Sequence, residues 1–327
     1  MLYFENDYCE GAHPAILQKL TETNFEKVSG YGTDPYCASA KEKIRAACAC
    51  PEADVFFISG GTQANSIVIA STLRRWEGVL AASTGHVAAH EAGAIEFTGH
   101  KVIGLPQKNG KLDAATVEDF CKTFYADSNH DHMVFPGMVY ISHPSEYGTL
   151  YSKAELEALS AVCHTYHMPL FVDGARLGYA LVSEGTDVTL ADLARLTDVF
   201  YIGGTKAGRT LRRGRGLPPR RTGPLHDDGQ AAGALLAKAA SWASSSTSSS
   251  PTTLHRISRN AIETANALKK GLAAKGYRFF MDSPTNQLFV VLEKHPAVRA
   301  GRQGKVRLLG EVRRQPHRCP HRRQLGH

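Results

Sequence analysis

The stretch VFYIGGTK, residues 199–206, is the most informative part of this chain: a short apolar strand ends in two glycines, and a single lysine, Lys206, follows. An earlier stretch, LFVDGAR at residues 170–176, has the same design with an acid, Asp173, at the end of the strand. Apolar strands of this kind are typical of a buried parallel sheet, in which ligands bind beyond the carboxyl ends of the strands. The two stretches therefore predict an amine and a carboxylate at one edge of a sheet.

Around these two strands, short apolar runs alternate with helical patterns between about residues 54 and 206. The predicted strands are residues 55–58, 101–105, 138–142, 170–173 and 199–202. The predicted helices are residues 63–75, 114–125, 153–166 and 190–196. Such alternation predicts an α/β fold with a mostly parallel central sheet and helices on both of its faces.

The carboxyl-terminal part of the chain has a different pattern. A long helix is predicted over residues 257–275, and short strands are predicted around Phe279 and over residues 288–292. We therefore expect a large domain, residues 1–253, followed by a smaller α+β domain, residues 254–327.

Two segments do not suit this organisation. Residues 209–221 are rich in arginine and show no period of a helix or strand, and residues 244–250 consist of serine and threonine. A basic, serine-rich linker is the ordinary interpretation, but a stretch of this length is uncommon inside a compact domain. Codons for residues 208–231, 242–253 and 308–327 can be chosen so that another frame encodes amphipathic sequence. We hypothesise that residues 209–253 and about 300–327 were translated out of frame.

The composition limits the class of protein. The chain has 327 residues, 43% of them hydrophobic, and no apolar run long enough to span a membrane. No signal peptide is evident, and the seven cysteines lack metal-like spacing, so we expect a cytoplasmic protein with reduced thiols. Because the arginine excess behind the net charge of +7 lies in the two unusual segments, we expect no nucleic acid as a partner. Because no apolar run is long enough, we also expect no membrane as a partner.

A glycine-rich turn is the first candidate binding element. The segment SGGTQAN, residues 59–65, follows a predicted strand and opens a predicted helix. Backbone N–H groups and the helix dipole favour an anion at such a position, and Thr62 can add a hydroxyl donor. A glycine turn before a helix is more often structural, and the lysine of a Walker loop is absent. Gly61 and Thr62 are therefore candidates for a phosphate site only in combination with other residues.

Histidines supply the second element. His86 and His90 lie four residues apart in TGHVAAHEAGA, residues 84–94, but the order typical of a zinc helix is absent. Taken alone, both suit ordinary surface or half-buried histidines. A functional imidazole at position 86 could stack on a flat ring and move protons near neutral pH. His143, at another predicted strand end, is the second candidate base.

Lys206 and Asp173 together indicate pyridoxal 5'-phosphate as the cofactor. A lysine amine forms a Schiff base with its aldehyde, and a carboxylate keeps the ring nitrogen protonated so that the ring takes up electrons. Arg176 can pair with a substrate carboxylate or with the phosphate. Each residue alone has an ordinary explanation, since an acid after a strand commonly caps a helix and a lysine after glycines commonly lies in solvent.

In this combination, residues 59–65, 86–94, 173–176 and 203–206 resemble the low-specificity L-threonine aldolases of the aromatic amino acid β-eliminating lyase/threonine aldolase family. The resemblance covers about residues 2–208 and resumes over residues 254–293. It implies a fold-type-I pyridoxal phosphate enzyme that acts on a small amino acid as a homodimer or homotetramer.

The resemblance also implies roles for individual residues. By this resemblance, Lys206 supplies the Schiff-base amine and Asp173 is the partner of the ring nitrogen. His86 is the group that stacks on the ring, and Gly61 and Thr62 form part of the phosphate site. Arg176 and Asp7 contact the substrate. The implied reaction cleaves the Cα–Cβ bond of a β-hydroxy amino acid, turning threonine or allo-threonine into glycine and acetaldehyde, with His86 or His143 as the base. The alternatives are β-elimination or racemisation, an inactive family member, and a non-catalytic or nucleic-acid-binding protein.

Overall fold

The structure is a computed structural model, and it describes residues 2–3, 6–8, 11–204, 208–212, 251–292 and 304–305. Residues 12–292 group as one unit, and residues 1–11 and 293–327 group as another. In the latter, strands β1 (Leu2–Tyr3) and β11 (Gly304–Lys305) pair in parallel. The candidate residue Asp7 belongs to this unit, whereas Lys206 lies outside the described residues.

A seven-stranded sheet organises residues 12–292. Its strands are β2 (Asp54–Phe56), β3 (Glu77–Ala82), β4 (Val102–Leu105), β5 (Phe135–Ser142), β6 (Leu170–Asp173), β7 (Val199–Gly203) and β8 (Gly208–Arg212). Their order across the sheet is β2-β8-β7-β6-β5-β3-β4. Neighbours from β7 to β4 are parallel, and β8 is antiparallel to both β7 and β2. The strands β2, β5, β6 and β7 therefore end at the same edge, as the sequence predicted.

Ten α-helices are described in addition to this sheet. They are α1 (Pro14–Thr23), α2 (Pro35–Ala47), α3 (Gly61–Thr72), α4 (His86–Ala89), α5 (Ala94–Phe97), α6 (Ala114–Ala126), α7 (Lys153–Thr165), α8 (Leu177–Ala180), α9 (Leu190–Leu196) and α10 (Pro251–Ala274). A short 3-10 helix spans His130–His132. Ser152 and Thr189 start α7 and α9 with capping boxes, in which each hydroxyl and the acid three residues later bond the backbone reciprocally.

The core lies in two layers because successive strand residues point to opposite faces. Val139 and Val172 belong to the layer that includes apolar residues of α2, α6, α7 and α9. Tyr140, Phe171 and Tyr201 belong to the other layer, which includes residues of α3. Asp173, at the end of β6 and two residues beyond Phe171, therefore points to the same face of the sheet as Phe171, the face toward α3.

Several sequence expectations need correction. The strand β3 was not predicted, because Glu77 and Gly78 open it and weaken the apolar signal, although all six of its residues are buried. Residues 209–212 were expected to lack regular structure but belong to β8. The sequence also did not predict α1 and α2.

The carboxyl-terminal elements follow the predicted order. After α10 come β9 (Arg278–Phe279) and β10 (Val290–Val291), which pair antiparallel. Residues 213–250, on which the frame hypothesis mainly falls, lie outside the described residues, and so do most residues after 292. The division at residue 253 therefore stays a prediction. Among the described residues, none of the helices combines the length and the apolar composition that a membrane span requires.

Candidate active site

A cleft opens beyond the carboxyl ends of β2, β5, β6 and β7. Its enclosed volume is about 160 Å³, and the space amounts to about 860 Å³ when its open mouth is counted. The predicted residues Gly61, Thr62, His86, Asp173 and Arg176 all line it. The structure therefore brings together residues that are more than a hundred positions apart in the sequence.

Asp173 is buried at the base of this cleft and accepts four hydrogen bonds. Its Oδ1 accepts from the Tyr201 hydroxyl at 2.5 Å and from the Ala175 backbone N–H at 2.9 Å. Its Oδ2 accepts from the Tyr140 hydroxyl at 2.5 Å and from Asn65 Nδ2 at 3.1 Å. A carboxylate has about four lone-pair sites, so a further donor must share or replace one of these partners.

The two tyrosines reach Asp173 because they lie on the strands that flank β6 and face the same side of the sheet. Burial raises the pKa of both Tyr140 and Tyr201 well above the ordinary value, and the charge of Asp173 raises it further. Both hydroxyls therefore keep their protons at neutral pH and serve as donors that orient the carboxylate.

His86 opens α4 and is held by a buried acid that the sequence analysis did not select. Its Nδ1 lies 2.7 Å from Oε1 of Glu91, whose side chain is fully buried. Burial by itself lowers the pKa of His86, but the hydrogen bond to Glu91 and the charges of Glu146, Asp173 and Glu91 outweigh it, and the pKa is raised. With Nδ1 engaged, Nε2 is the ring atom left for other partners.

Asn65, on α3, connects the two acids. Its Nδ2 donates to Glu91 Oε1 at 2.7 Å and to Asp173 Oδ2 at 3.1 Å. Ligand atoms of His86, Glu91 and Asp173 lie within 4.8 Å of one another, a spacing that could hold a metal ion. The hydrogen bonds through Asn65 and between His86 and Glu91 already account for this cluster, so we assign no metal to it.

Gly174 and Gly203, at the ends of β6 and β7, are needed for the close packing of these two strand ends. A Cβ atom on Gly174 would lie 1.9 Å from the Tyr201 carbonyl oxygen, and one on Gly203 would lie 2.1 Å from the Ala175 carbonyl oxygen. The Gly203 N–H donates to the Gly174 carbonyl at 2.8 Å. The ends of β6 and β7 therefore come together only because neither residue has a side chain.

The start of α3 forms another wall of the cleft. Gly60 is the N-cap and has no side chain to satisfy the first N–H groups of this 12-residue helix. A Cβ atom on Gly61 would lie 2.8 Å from the Tyr201 hydroxyl. The glycines thus leave the first N–H groups of α3 without a side-chain cap and let the helix start pack against the buried Tyr201 hydroxyl. Uncapped N–H groups at a helix start are suited to an anion.

His143, the second predicted base, does not line the cleft. It is fully buried, and its Nδ1 accepts a hydrogen bond from the Tyr151 N–H at 3.3 Å. Burial and the charge of Lys111 lower the pKa of His143 to about 4. Its neighbour Pro144 and the acid Glu146 reach the cleft instead. The order of residues after a strand could not show which of them points inward.

Comparison with known proteins supports the assignment of the fold. A family model described as beta-eliminating lyase matches residues 7–210. The solved structure of threonine aldolase from Leishmania major is 41% identical, with a TM-score of 0.86, over 93% of this chain and 88% of that chain. An aspartate aminotransferase double mutant from Thermus thermophilus, 17% identical, shares the fold with a TM-score of 0.63, over 88% of this chain and 75% of that chain.

Curated protein sequences that match this chain carry the name of the same enzyme as the Leishmania structure, threonine aldolase. The low specificity L-threonine aldolase of Pseudomonas aeruginosa is 32% identical over 211 residues, which are 64% of this chain and 59% of that protein. The chain therefore spans 59% of the length of this curated relative. Since the family model covers more than half of the chain and the aminotransferase shares its architecture, the predicted fold-type-I architecture is confirmed. The chain belongs to the beta-eliminating lyase family.

Proposed function

We propose that this chain is a pyridoxal 5'-phosphate-dependent aldehyde-lyase that cleaves the Cα–Cβ bond of a β-hydroxy amino acid, with threonine or allo-threonine giving glycine and acetaldehyde. The observation that carries the proposal is the buried Asp173 carboxylate in one cleft with His86 and the glycine-rich start of α3. The 41% identity to the threonine aldolase of Leishmania major supports this choice of reaction.

The residues of the cleft suit this cofactor. The uncapped start of α3, with Gly61 and Thr62, suits a phosphate group, because its N–H groups and helix dipole favour an anion. Asp173 suits a protonated ring nitrogen, and the Tyr201 hydroxyl, which also lines the cleft, is the partner best placed to make room for it. Pyridoxal phosphate, when bound, supplies an aldehyde for a substrate amine and an electron sink for the bond that breaks.

The protein groups then hold and orient the reactants. Arg176 lines the cleft and carries the fork of donors that suits the substrate carboxylate or the phosphate. His86, whose Nδ1 is engaged by Glu91, would cover a face of the ring. Lys206, two positions after the cleft residue Gly204, is the proposed amine that anchors the cofactor, and Asp7 is a proposed substrate contact.

The assembly and location are also proposals. We infer a homodimer or homotetramer from the resemblance to fold-type-I enzymes, which light scattering on the purified protein can test. We infer a cytoplasmic location, supported by the free thiols of Cys37, Cys48, Cys50, Cys121 and Cys163, since unpaired cysteines are typical of reducing compartments.

The proposed function is tested by spectroscopy and product analysis. Protein mixed with pyridoxal phosphate should show the absorbance of a cofactor bound to lysine, and threonine should yield glycine and acetaldehyde in equal amounts. Lys206→Ala should abolish the absorbance, whereas Lys122→Ala, on the exposed side of α6, should leave it unchanged. Ammonia and a keto acid as products would establish β-elimination instead, and an absence of bound cofactor would overturn the enzyme assignment.

A further inference from the structure

Glu146 is an acid in the cleft that neither the motifs nor the resemblance selected. It lies four residues beyond the end of β5, and it lines the cleft together with His86, Asp173 and Arg176. The Ser142 hydroxyl donates to its Oε1 at 2.7 Å. The carboxyl group is therefore oriented by a neighbour within the cleft.

The backbone around Glu146 is also held in place. Gln287 Nε2 donates to the Glu146 carbonyl at 3.3 Å, and the Ser283 hydroxyl donates to the Gly148 carbonyl at 3.1 Å. Gly148 has a positive φ of 74°, and a Cβ atom there would lie 2.2 Å from the Ser283 Oγ. The segment between β9 and β10 thus fixes the loop that presents Glu146.

The charges around this carboxyl favour proton exchange. Burial raises the pKa of Glu146, and the charge of Asp173 raises it further, while His86, the Ser142 hydroxyl and Arg176 oppose this rise without cancelling it. The buried tyrosines Tyr140 and Tyr201 also interact with this carboxyl group, since the charge of Glu146 raises the pKa of both hydroxyls. A carboxyl whose pKa moves toward the working pH becomes a better base when ionised.

We propose that Glu146 is a catalytic residue whose carboxylate removes the proton from the β-hydroxyl group of the substrate. This proposal rests on the proposed function. The O–H bond breaks, its proton passes to Glu146, and its electron pair forms the carbonyl bond of the aldehyde. The Cα–Cβ bond breaks with its pair left on Cα, which then takes a proton from solvent while Glu146 releases its own, so threonine becomes glycine and acetaldehyde.

The other acids and bases of the cleft are less suited to this step. His86 uses Nδ1 for Glu91, and its raised pKa favours the protonated ring, which donates rather than accepts. Asp173 already accepts four hydrogen bonds. His143 is buried away from the cleft. Glu146 is the remaining acidic group among the described cleft residues.

The test separates cleavage from chemistry that needs no β-hydroxyl group. In Glu146→Gln, threonine cleavage should fall by about 10²-fold or more, the usual contribution of a general base. Exchange of the α-proton of glycine with deuterated water, followed by NMR, should stay within the same order as in the unchanged protein. Glu184→Gln changes an exposed acid that does not line the cleft; it is the matched control and should alter neither rate.

A second measurement needs no cofactor. Infrared difference spectra of the cofactor-free protein should show a protonated carboxyl band that titrates above the ordinary pKa of glutamate and is missing in Glu146→Gln. Cleavage at the unchanged rate in Glu146→Gln, or equal loss of cleavage and exchange, would overturn the proposal. Loss of cleavage alone in His86→Asn, with Glu146→Gln active, would assign the base to His86. If the unchanged protein shows neither cleavage nor exchange nor cofactor absorbance, the proposed function itself fails.

Discussion

The Nδ1 atom of His86 lies 2.7 Å from the Oε1 atom of Glu91, and that same oxygen accepts a hydrogen bond from Asn65. Asn65 also donates to Asp173. The imidazole proposed to cover the cofactor and the carboxylate proposed to hold its nitrogen are therefore linked through one side chain of α3. We therefore expect a substitution of Glu91 to affect both the His86 imidazole and the Asp173 carboxylate.

Glu91→Gln should lower the pKa of His86. The substitution removes the charge and the ionic hydrogen bond that raise this pKa, while the burial that lowers it remains. NMR titration of the imidazole resonances would measure the shift. Glu96→Gln, which changes an exposed acid on α5, is the control and should leave the pKa of His86 unchanged. An unchanged titration midpoint of His86 in Glu91→Gln would show that Glu91 does not set the charge of His86.

The same pair should make stability depend on pH in a defined direction. Because the folded pKa of His86 is raised above 6.5, the stabilisation from the charged pair is fully present below pH 6.5 and is lost as the pH rises through the folded pKa. The difference in unfolding free energy between the unchanged protein and Glu91→Gln should therefore shrink with rising pH. Urea unfolding across this range tests it, and a difference that grows with pH contradicts it.

Alanine at Gly174 or Gly203 should prevent the ends of β6 and β7 from meeting. Each added Cβ atom would lie about 2 Å from a backbone carbonyl oxygen, which cannot be relieved by rotating a side chain. We expect a loss of about 3 kcal/mol in the free energy of unfolding, the upper end of the usual cost of overpacking, or failure to fold.

Gly271 is the matched control for these two changes. It lies in the exposed part of α10, and a Cβ atom there would meet nothing within 4 Å. Gly271→Ala should stabilise the protein by about 0.5–1 kcal/mol, because alanine favours the helix. Denaturant unfolding measures the stability of all three variants. An unchanged unfolding midpoint in Gly203→Ala would show that the ends of β6 and β7 can lie further apart without a loss of stability.

Ser283→Ala should loosen the loop that carries Glu146. The Ser283 hydroxyl is buried and donates to the Gly148 carbonyl, and its oxygen accepts from the Thr285 N–H at 3.1 Å. Removing it leaves buried groups unpaired, at a cost of about 1–3 kcal/mol. Ser71→Ala, which removes a bond only within α3, should cost less than about 0.5 kcal/mol; equal unfolding midpoints for the two variants would contradict the anchoring role.

The frame hypothesis predicts a result at the level of DNA. Sequencing of the parent gene should reveal insertions or deletions near the codons for residues 209, 253 and 300, after which the amphipathic frames are restored. The restored protein should lose both the arginine-rich segments and the +7 net charge. An intact frame that encodes the chain as printed would refute the hypothesis.

Much of the sheet could be predicted from local pattern. The strand β6 and the helix α9 have the predicted bounds, because apolar runs between glycines and caps are short-range signals. The strand β3 could not be recognised in this way, since its burial depends on the neighbours β4 and β5 rather than on its own composition. The segment at β8 was missed for the same reason: its pairing with β2 and β7 is a long-range contact.

The amino-acid sequence was enough to predict the family, the mostly parallel sheet and the edge at which Asp173 and the glycine turn at Gly61 meet, because chain order and strand direction bring strand ends to one side. That Glu91 orients His86, and that Glu146 rather than His143 faces the cleft, became visible in the three-dimensional structure alone. A side chain just beyond a strand points inward or outward according to the path of its loop, and that path is set by contacts with Ser283 and Gln287 far along the chain.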